Sequence, residues 1–302
     1  MMPFRRIAIL GLGLIGSSLA RAVRARLPDV ALVGFDRDPA VVTRVAELGL
    51  VDILSPSAAA AARGAELVVL ATPLGTFAEL AQAIAPALEP DAVVSDVGSA
   101  KQAVIEAVAP CLPAHAHLVP AHPVAGTEQS GPDAGFEDLF QGRWAILTPP
   151  PGTPPMAVER VRRLWEAVGA TVEVMDARHH DLVLAITSHL PHLIAYSIVG
   201  TASDLESVTK AEVIKYSAGG FRDFTRIAAS DPTMWRDVFL MNREAVLEML
   251  ARFSEDLAAL QRAIRWGDGE TLFRRFAASR AIRRAIVEAG QDTAAPDFGR
   301  RR

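Results

Sequence analysis

Arg6-Ile7-Ala8-Ile9-Leu10-Gly11-Leu12-Gly13-Leu14-Ile15-Gly16 decides how the first half of the chain is read. A short apolar run enters a Gly-x-Gly-x-x-Gly turn directly, and a helical pattern follows at 17–26. A lone glycine triplet says little, but between strand and helix each glycine has a physical reason. Gly11 allows the tight turn, Gly13 lets backbone approach a pyrophosphate, and Gly16 lets the helix pack on the strand. Leu14 and Ile15 join the glycines as expected cofactor contacts, and free N–H groups near Ser17 and Ser18 are expected to face the phosphates. Asp36 lies 20 residues beyond Gly16, at the end of the next apolar run. A carboxylate there accepts hydrogen bonds from ribose hydroxyls and repels a 2′-phosphate, which favours NAD over NADP. Arg37 is the counter-signal, because an arginine beside that acid can embrace the phosphate.

Further apolar runs at 31–36, 67–72, 92–97, 117–120 and 144–148 alternate with Ala-rich helical patterns such as 77–88. Unbroken apolar strands between helices predict a parallel, doubly wound α/β sheet covered on both faces. Prolines at 149–151, 154 and 155 break the pattern before a helix at 156–168 and a last strand at 171–175. From about residue 177 the pattern is helical only: 180–202 with Pro191 inside it, 235–265 and 270–289. Pro191 should bend its helix and free a carbonyl. The expected organisation is a dinucleotide-binding domain at 1–176, an all-α substrate and dimerisation domain at 177–290, and a disordered tail at 291–302. The apolar helical faces call for a second copy, so a homodimer through the C-terminal helices is expected.

Among 302 residues half are hydrophobic and 22% charged, the balance of a soluble enzyme. A net charge of −4 gives nucleic acid no footing as a partner. Cys111 is the sole cysteine, so no internal disulfide forms and a cytoplasmic location is expected. Arg5-Arg6 before an apolar run resembles a signal peptide, but three glycines interrupt it. No run reaches the ~18 uninterrupted apolar residues of a membrane span.

Thr72-Pro73 and Gly98-Ser99 follow strands, where the middle and the nicotinamide end of a dinucleotide should lie. Ser99 alone reads equally well as a helix cap before 100–108. Ala121-His122-Pro123-Val124-Ala125-Gly126-Thr127-Glu128 places a histidine on an expected loop after 117–120; alone it reads as a turn, in this company as a candidate for catalysis. Ser188-His189-Leu190-Pro191-His192 puts two histidines on neighbouring positions of one helical face, with no ligand cluster that would make a metal site. In Ser217-Ala218-Gly219-Gly220-Phe221-Arg222-Asp223-Phe224-Thr225-Arg226 two arginines stand four apart among apolar residues. Arg226 is the one expected to grip a carboxylate. Trp235 lines or packs that pocket.

Together these segments, with Asp-Val-Gly-Ser-Ala-Lys at 96–101 and Phe-Arg-Asp-Phe-Thr-Arg-Ile-Ala at 221–228, resemble the prephenate and arogenate dehydrogenases in the family's order. The resemblance implies NAD-dependent oxidative decarboxylation of a cyclohexadienol. It implies that His122 meets the ring 4-hydroxyl, Ser99 orients that hydroxyl and the nicotinamide, and Arg226 binds carboxylate. His192 would line the cofactor–substrate junction and Glu128 the entrance. Two rivals stand beside it. A two-domain hydroxyacid dehydrogenase would rest on a lysine such as Lys210 or Lys215. A non-catalytic NAD-binding dimer would be expected to have lost His122, Ser99 or Arg226, and all three are present.

Overall fold

The computed structural model describes residues 3–203 and 219–288. It divides into two compact units, Met1–Val246 and Leu247–Arg302. The expected tail at 291–302, Lys210, Lys215 and the Ser217-Ala218 pair lie outside the described residues.

In the first unit six parallel strands lie in the order β3-β2-β1-β4-β5-β6. They are β1 (Arg6–Leu10), β2 (Ala31–Phe35), β3 (Ile53–Leu54), β4 (Leu67–Leu70), β5 (Val93–Asp96) and β6 (His117–Leu118). Period-two alternation splits their side chains between two cores. Ile7, Ile9, Leu32, Leu67, Val69 and Val93 face α1 (Leu14–Arg26) and α6 (Pro155–Ala167). Ala8, Leu10, Val33, Val68, Leu70 and Val94 face α3 (Ala58–Ala62), α4 (Phe77–Ile84) and α5 (Lys101–Val108). A sheet buried on both faces needs apolar residues at every strand position, which is why the runs read as unbroken. The short helix α2 (Pro39–Leu48) follows β2, its N-terminus capped by Asp38.

The later strands do not extend this sheet. β7 (Ala121–Pro123), β8 (Trp144–Leu147) and β9 (Thr171–Val174) form a second, three-stranded sheet. β7 runs antiparallel to β8, which pairs parallel with β9. His122 therefore sits in a strand opposite Ile146, not on the expected loop. The reason is local. Pro120 offers no N–H to continue β6, while its carbonyl accepts from Thr148 N–H at 3.0 Å and turns the chain into the second sheet.

From Ala177 the described residues form helices and no strands: α7 (Ala177–Leu184), one turn of π-helix (Ala185–His189), α8 (Leu190–Ser203), α9 (Gly219–Thr225) and α10 (Pro232–Met241). The irregular turn comes just before Pro191, so the expected disturbance is taken up as a π-turn. The run Ala177–Ser203 has 27 residues and is apolar enough, by length and composition, to cross a bilayer. Its buried His180, Asp181 and His189 instead bond to residues on α5, on β7 and at the C-terminal cap of α10. Trp235 and Val238 complete the core beneath β4 and β5. The first compact unit therefore continues past residue 176 to Val246. The second unit holds most of α11 (Arg243–Arg265) and all of α12 (Gly269–Glu288). Arg275 pairs with Asp256 at 3.0 Å between these helices, while Phe273, Phe276, Ile282 and Ile286 stay exposed.

The glycines of the first turn are not equivalent. A Cβ on Gly16 would lie 2.0 Å from the Gly11 carbonyl oxygen, and one on Gly11, at φ +98°, would meet Ala71 backbone at 2.6 Å. A Cβ on Gly13 would meet nothing within 4 Å. Gly16→Ala should therefore destabilise the protein by about 1–3 kcal/mol despite alanine's better helix propensity. Gly13→Ala should melt near the parent temperature. Thermal unfolding followed by circular dichroism checks this; equal loss in both variants would contradict the packing account.

Candidate active site

The first turn builds one end of the site. α1 starts at Leu14 with no side-chain cap on Gly13, which leaves the N–H groups of its first turn free for an anion. Ser17 and Ser18 are not among them. Ser17 N–H bonds to the Gly13 carbonyl at 3.0 Å, and both hydroxyls donate to the preceding turn. Asp36 sits at the end of β2; its Oδ2 accepts from Leu12 N–H at 2.8 Å and its Oδ1 from Asp38 N–H at 3.0 Å. The loop and the acid are thus fixed to each other. Gly13, Leu14, Ile15, Thr72 and Pro73 line a pocket of about 280 Å³ that reaches Ser99 and His122. Gly11, Gly16 and Asp36 shape the turn without lining this pocket.

At the carboxyl end of β5 a buried ion pair organises the centre. Asp96 pairs with Lys101, both with side chains essentially inaccessible. Asp96 also accepts from Gly98 N–H at 2.7 Å and Ala121 N–H at 3.2 Å, while Lys101 Nζ donates to the Ala121 carbonyl at 2.8 Å. Burial pulls the Lys101 ammonium down, and the Asp96 charge beside it offsets part of that pull. The pair fixes the residues just before Ser99 and His122. Ser99 is not the helix cap that its position suggests. Ala100 holds the cap position of α5 with no side-chain bond, and Asp181 of α7 accepts from Lys101 and Gln102 N–H at 2.7 and 2.9 Å.

His122 is 7% exposed and lines two pockets. Its Nδ1 lies 2.8 Å from His180 Nε2, and His180 Nδ1 lies 2.8 Å from Asp181 Oδ1. The second pocket, about 540 Å³, is lined by Ser99, His122, Glu128, His192, Arg226 and Trp235. His192 Nδ1–H donates to the Ser188 carbonyl at 2.8 Å, and its ring stacks on Trp235 with centroids 3.6 Å apart. His189, three residues earlier, is fully buried beside the Ser99 backbone, lines neither pocket, and accepts from Asn242 Nδ2 at 3.0 Å. Arg226 stands in a 3₁₀ turn after α9 and pairs with Glu128 Oε2 at 2.7 Å. It is not a lone cation awaiting a ligand. Arg222 stays exposed beside Asp223.

Sequence reasoning missed His180, Asp181 and Asn242, and it gave Asp96 and Lys101 no structural role. His180-Asp181 lies within α7, but nothing in its spacing announces a partner 58 residues earlier. Among the described residues no cluster of three metal-ligating side chains occurs.

Four imidazoles, those of His122, His180, His189 and His192, are held below the ordinary histidine value of 6.5, in each case chiefly by burial. Burial depresses His122 well below it, aided by His180, Lys101 and His189; burial lowers His180 against the opposing Asp181; burial takes His189 down to about 4. The unfolded chain takes up protons near pH 6.5 that these native rings refuse. Stability should therefore fall on acidification below that pH, by up to about 1.4 kcal/mol per pH unit for each histidine. Tm measured from about pH 7 to about pH 5 should drop, and the His189→Gln variant should show a shallower drop. Equal slopes would sink the assignment.

Residues 19–174 match the family model for the nucleotide-binding domain of prephenate dehydrogenase, and residues 176–278 match its dimerization domain. The cyclohexadienyl dehydrogenase of Zymomonas mobilis is 45% identical over 95% of this chain and 97% of its own length. Prephenate dehydrogenase from Aquifex aeolicus, solved with hydroxyphenyl propionate and NAD+, superimposes with a TM-score of 0.86 at 34% identity, covering 93% of this chain and 98% of that one. Synechocystis arogenate dehydrogenase follows at 0.78 and 26%, covering 93% and 99%. With both family models in sequence and a relative of this identity along nearly its whole length, the chain belongs to the prephenate dehydrogenase family of oxidoreductases.

Proposed function

We propose that the protein catalyses NAD-dependent oxidative decarboxylation of prephenate to 4-hydroxyphenylpyruvate, of arogenate to tyrosine, or of both. The observation that carries this reading is the meeting of two pockets at Ser99 and His122. One is bounded by the glycine turn. The other is bounded by Arg226, His192 and Trp235. The uncapped helix start, the open space over Gly13 and the anchored Asp36 fit a dinucleotide. Asp36 favours a free ribose over a 2′-phosphate and hence NAD over NADP.

Bound nicotinamide supplies the hydride acceptor. His122, neutral at the working pH, takes the proton of the ring 4-hydroxyl as hydride leaves the same carbon. Ser99, on the loop that both pockets share, orients that hydroxyl. The bond to the ring carboxylate then breaks, its electron pair enters the ring, and CO2 departs. The phenolic oxygen recovers its proton from His122. Aromatisation makes the sequence effectively irreversible. Because the departing carboxylate loses its charge, a tight grip on it would stabilise the ground state more than the transition state. Arg226, already balanced by Glu128, serves binding and placement. Glu128 stands at the entrance, where it competes with substrate carboxylate for that guanidinium. His192, fixed by Ser188 and Trp235, lines the second pocket, where it would border the substrate.

The helical part from 177 to 290 is read as the substrate and dimerisation domain of a homodimer. The matching family model and the exposed apolar residues of α12 support this. The single Cys111 agrees with a reducing, cytoplasmic setting.

With prephenate and NAD, His122→Asn should lower kcat by roughly 10²–10⁴-fold, the range for lost acid–base catalysis. Arg226→Ala should raise KM for prephenate far more than it lowers kcat. Steady-state assays of NADH formation check both. A parent protein that binds NAD but turns over neither prephenate nor arogenate would refute the function, and near-normal kcat in His122→Asn would refute the base.

A further inference from the structure

We propose that Asp181, acting through His180, sets which ring nitrogen of His122 carries the proton, and that the same carboxylate holds the Ser99 loop in place. The proposal rests on the reading of His122 as the base. Asp181 receives three N–H groups: those of Lys101 and Gln102 at the start of α5, and His180 Nδ1–H. A carboxylate can only accept, so Nδ1 of His180 must carry its hydrogen. A neutral His180 ring, favoured by its full burial, then has a lone pair on Nε2. That lone pair is 2.8 Å from His122 Nδ1. His122 must donate there, because the opposite tautomer would set two lone pairs against each other. Its Nε2, which bonds to no described residue, keeps the lone pair and is the nitrogen left to the cleft. With the proton on the wrong nitrogen, His122 would present a donor and could not take the hydroxyl proton.

The same carboxylate has a second role. By capping α5 it fixes the helix that begins two residues after Ser99. Asn242 Nδ2 donates to the Asp181 backbone carbonyl at 2.8 Å and ties that residue to the end of α10. One side chain thus links the orientation of the base to the position of the hydroxyl beside it. The other charged or titratable groups around the two rings are Lys101, Asp96 and His189. His180 and Asp181 are positioning residues: neither lines the pockets that His122 and Ser99 share.

The test uses the full chain with NAD and prephenate. His180→Leu should lower kcat by about 10²–10⁴-fold, with KM for prephenate changed by less than about threefold. His180→Gln can donate its amide N–H to Asp181 and accept from His122 Nδ1–H, so it should recover most of the loss. In ¹⁵N spectra of histidine-labelled parent protein, the unprotonated nitrogen of His122 should be Nε2. Parent spectra with the proton on Nε2 would overturn the proposal. So would equal impairment of the Leu and Gln variants, which marks a packing role alone. If His180→Leu keeps kcat while His122→Asn loses it, the relay falls and the base reading stands. If His122→Asn keeps kcat, both fall.

Discussion

The site depends on the buried ion pair between Asp96 and Lys101. Two opposite charges removed from water cost several kcal/mol each and are tolerated only where geometry and further hydrogen bonds return most of that. Here every partner is used structurally. Asp96 takes the N–H groups of Gly98 and Ala121, and Lys101 reaches the Ala121 carbonyl. The pair therefore joins the end of β5, the start of α5 and the start of β7, three segments of different elements. Loss of either partner would leave an uncompensated buried charge, typically worth 3–5 kcal/mol. Ser99 and His122 are the residues that this junction points toward the cleft.

Strand order explains why the junction lies there. In a doubly wound sheet, ligands bind at the carboxyl ends of strands where the winding reverses, here between β1 and β4. The glycine turn after β1 and Thr72-Pro73 after β4 flank that point, and Ser99 follows β5. The second sheet brings His122 up to the same edge. The helices from α7 to α10 close the other side with Trp235 and Val238 in the core and His192 and Arg226 at the surface of the cleft. A polar relay of His122, His180 and Asp181 runs through the seam between sheet and helices.

The sheet was legible in the sequence because a doubly covered strand leaves an unbroken apolar run, and the glycine turn because sterics permit nothing larger at Gly11 and Gly16. His122, Ser99, His192, Arg226, Glu128 and Trp235 were each singled out, and the fold brings all six around one cleft. The second sheet was not legible: a short strand such as Ala121–Pro123 has no periodicity, and Pro120 looks like a turn whichever sheet follows. Nor was the end of the first compact unit, because Trp235 and Val238 pack beneath strands far earlier in the chain. The Glu128–Arg226 pair and the His180 relay link residues 98 and 58 positions apart, which no local spacing encodes.

The most direct test of the account is the structure of the protein with NAD and a 4-hydroxyphenyl carboxylate ligand. The account predicts the 4-hydroxyl oxygen about 2.6–3.2 Å from His122 Nε2, with the ligand's carboxylate toward Arg226. A ligand whose hydroxyl points away from His122, or whose carboxylate occupies that position instead, would contradict it.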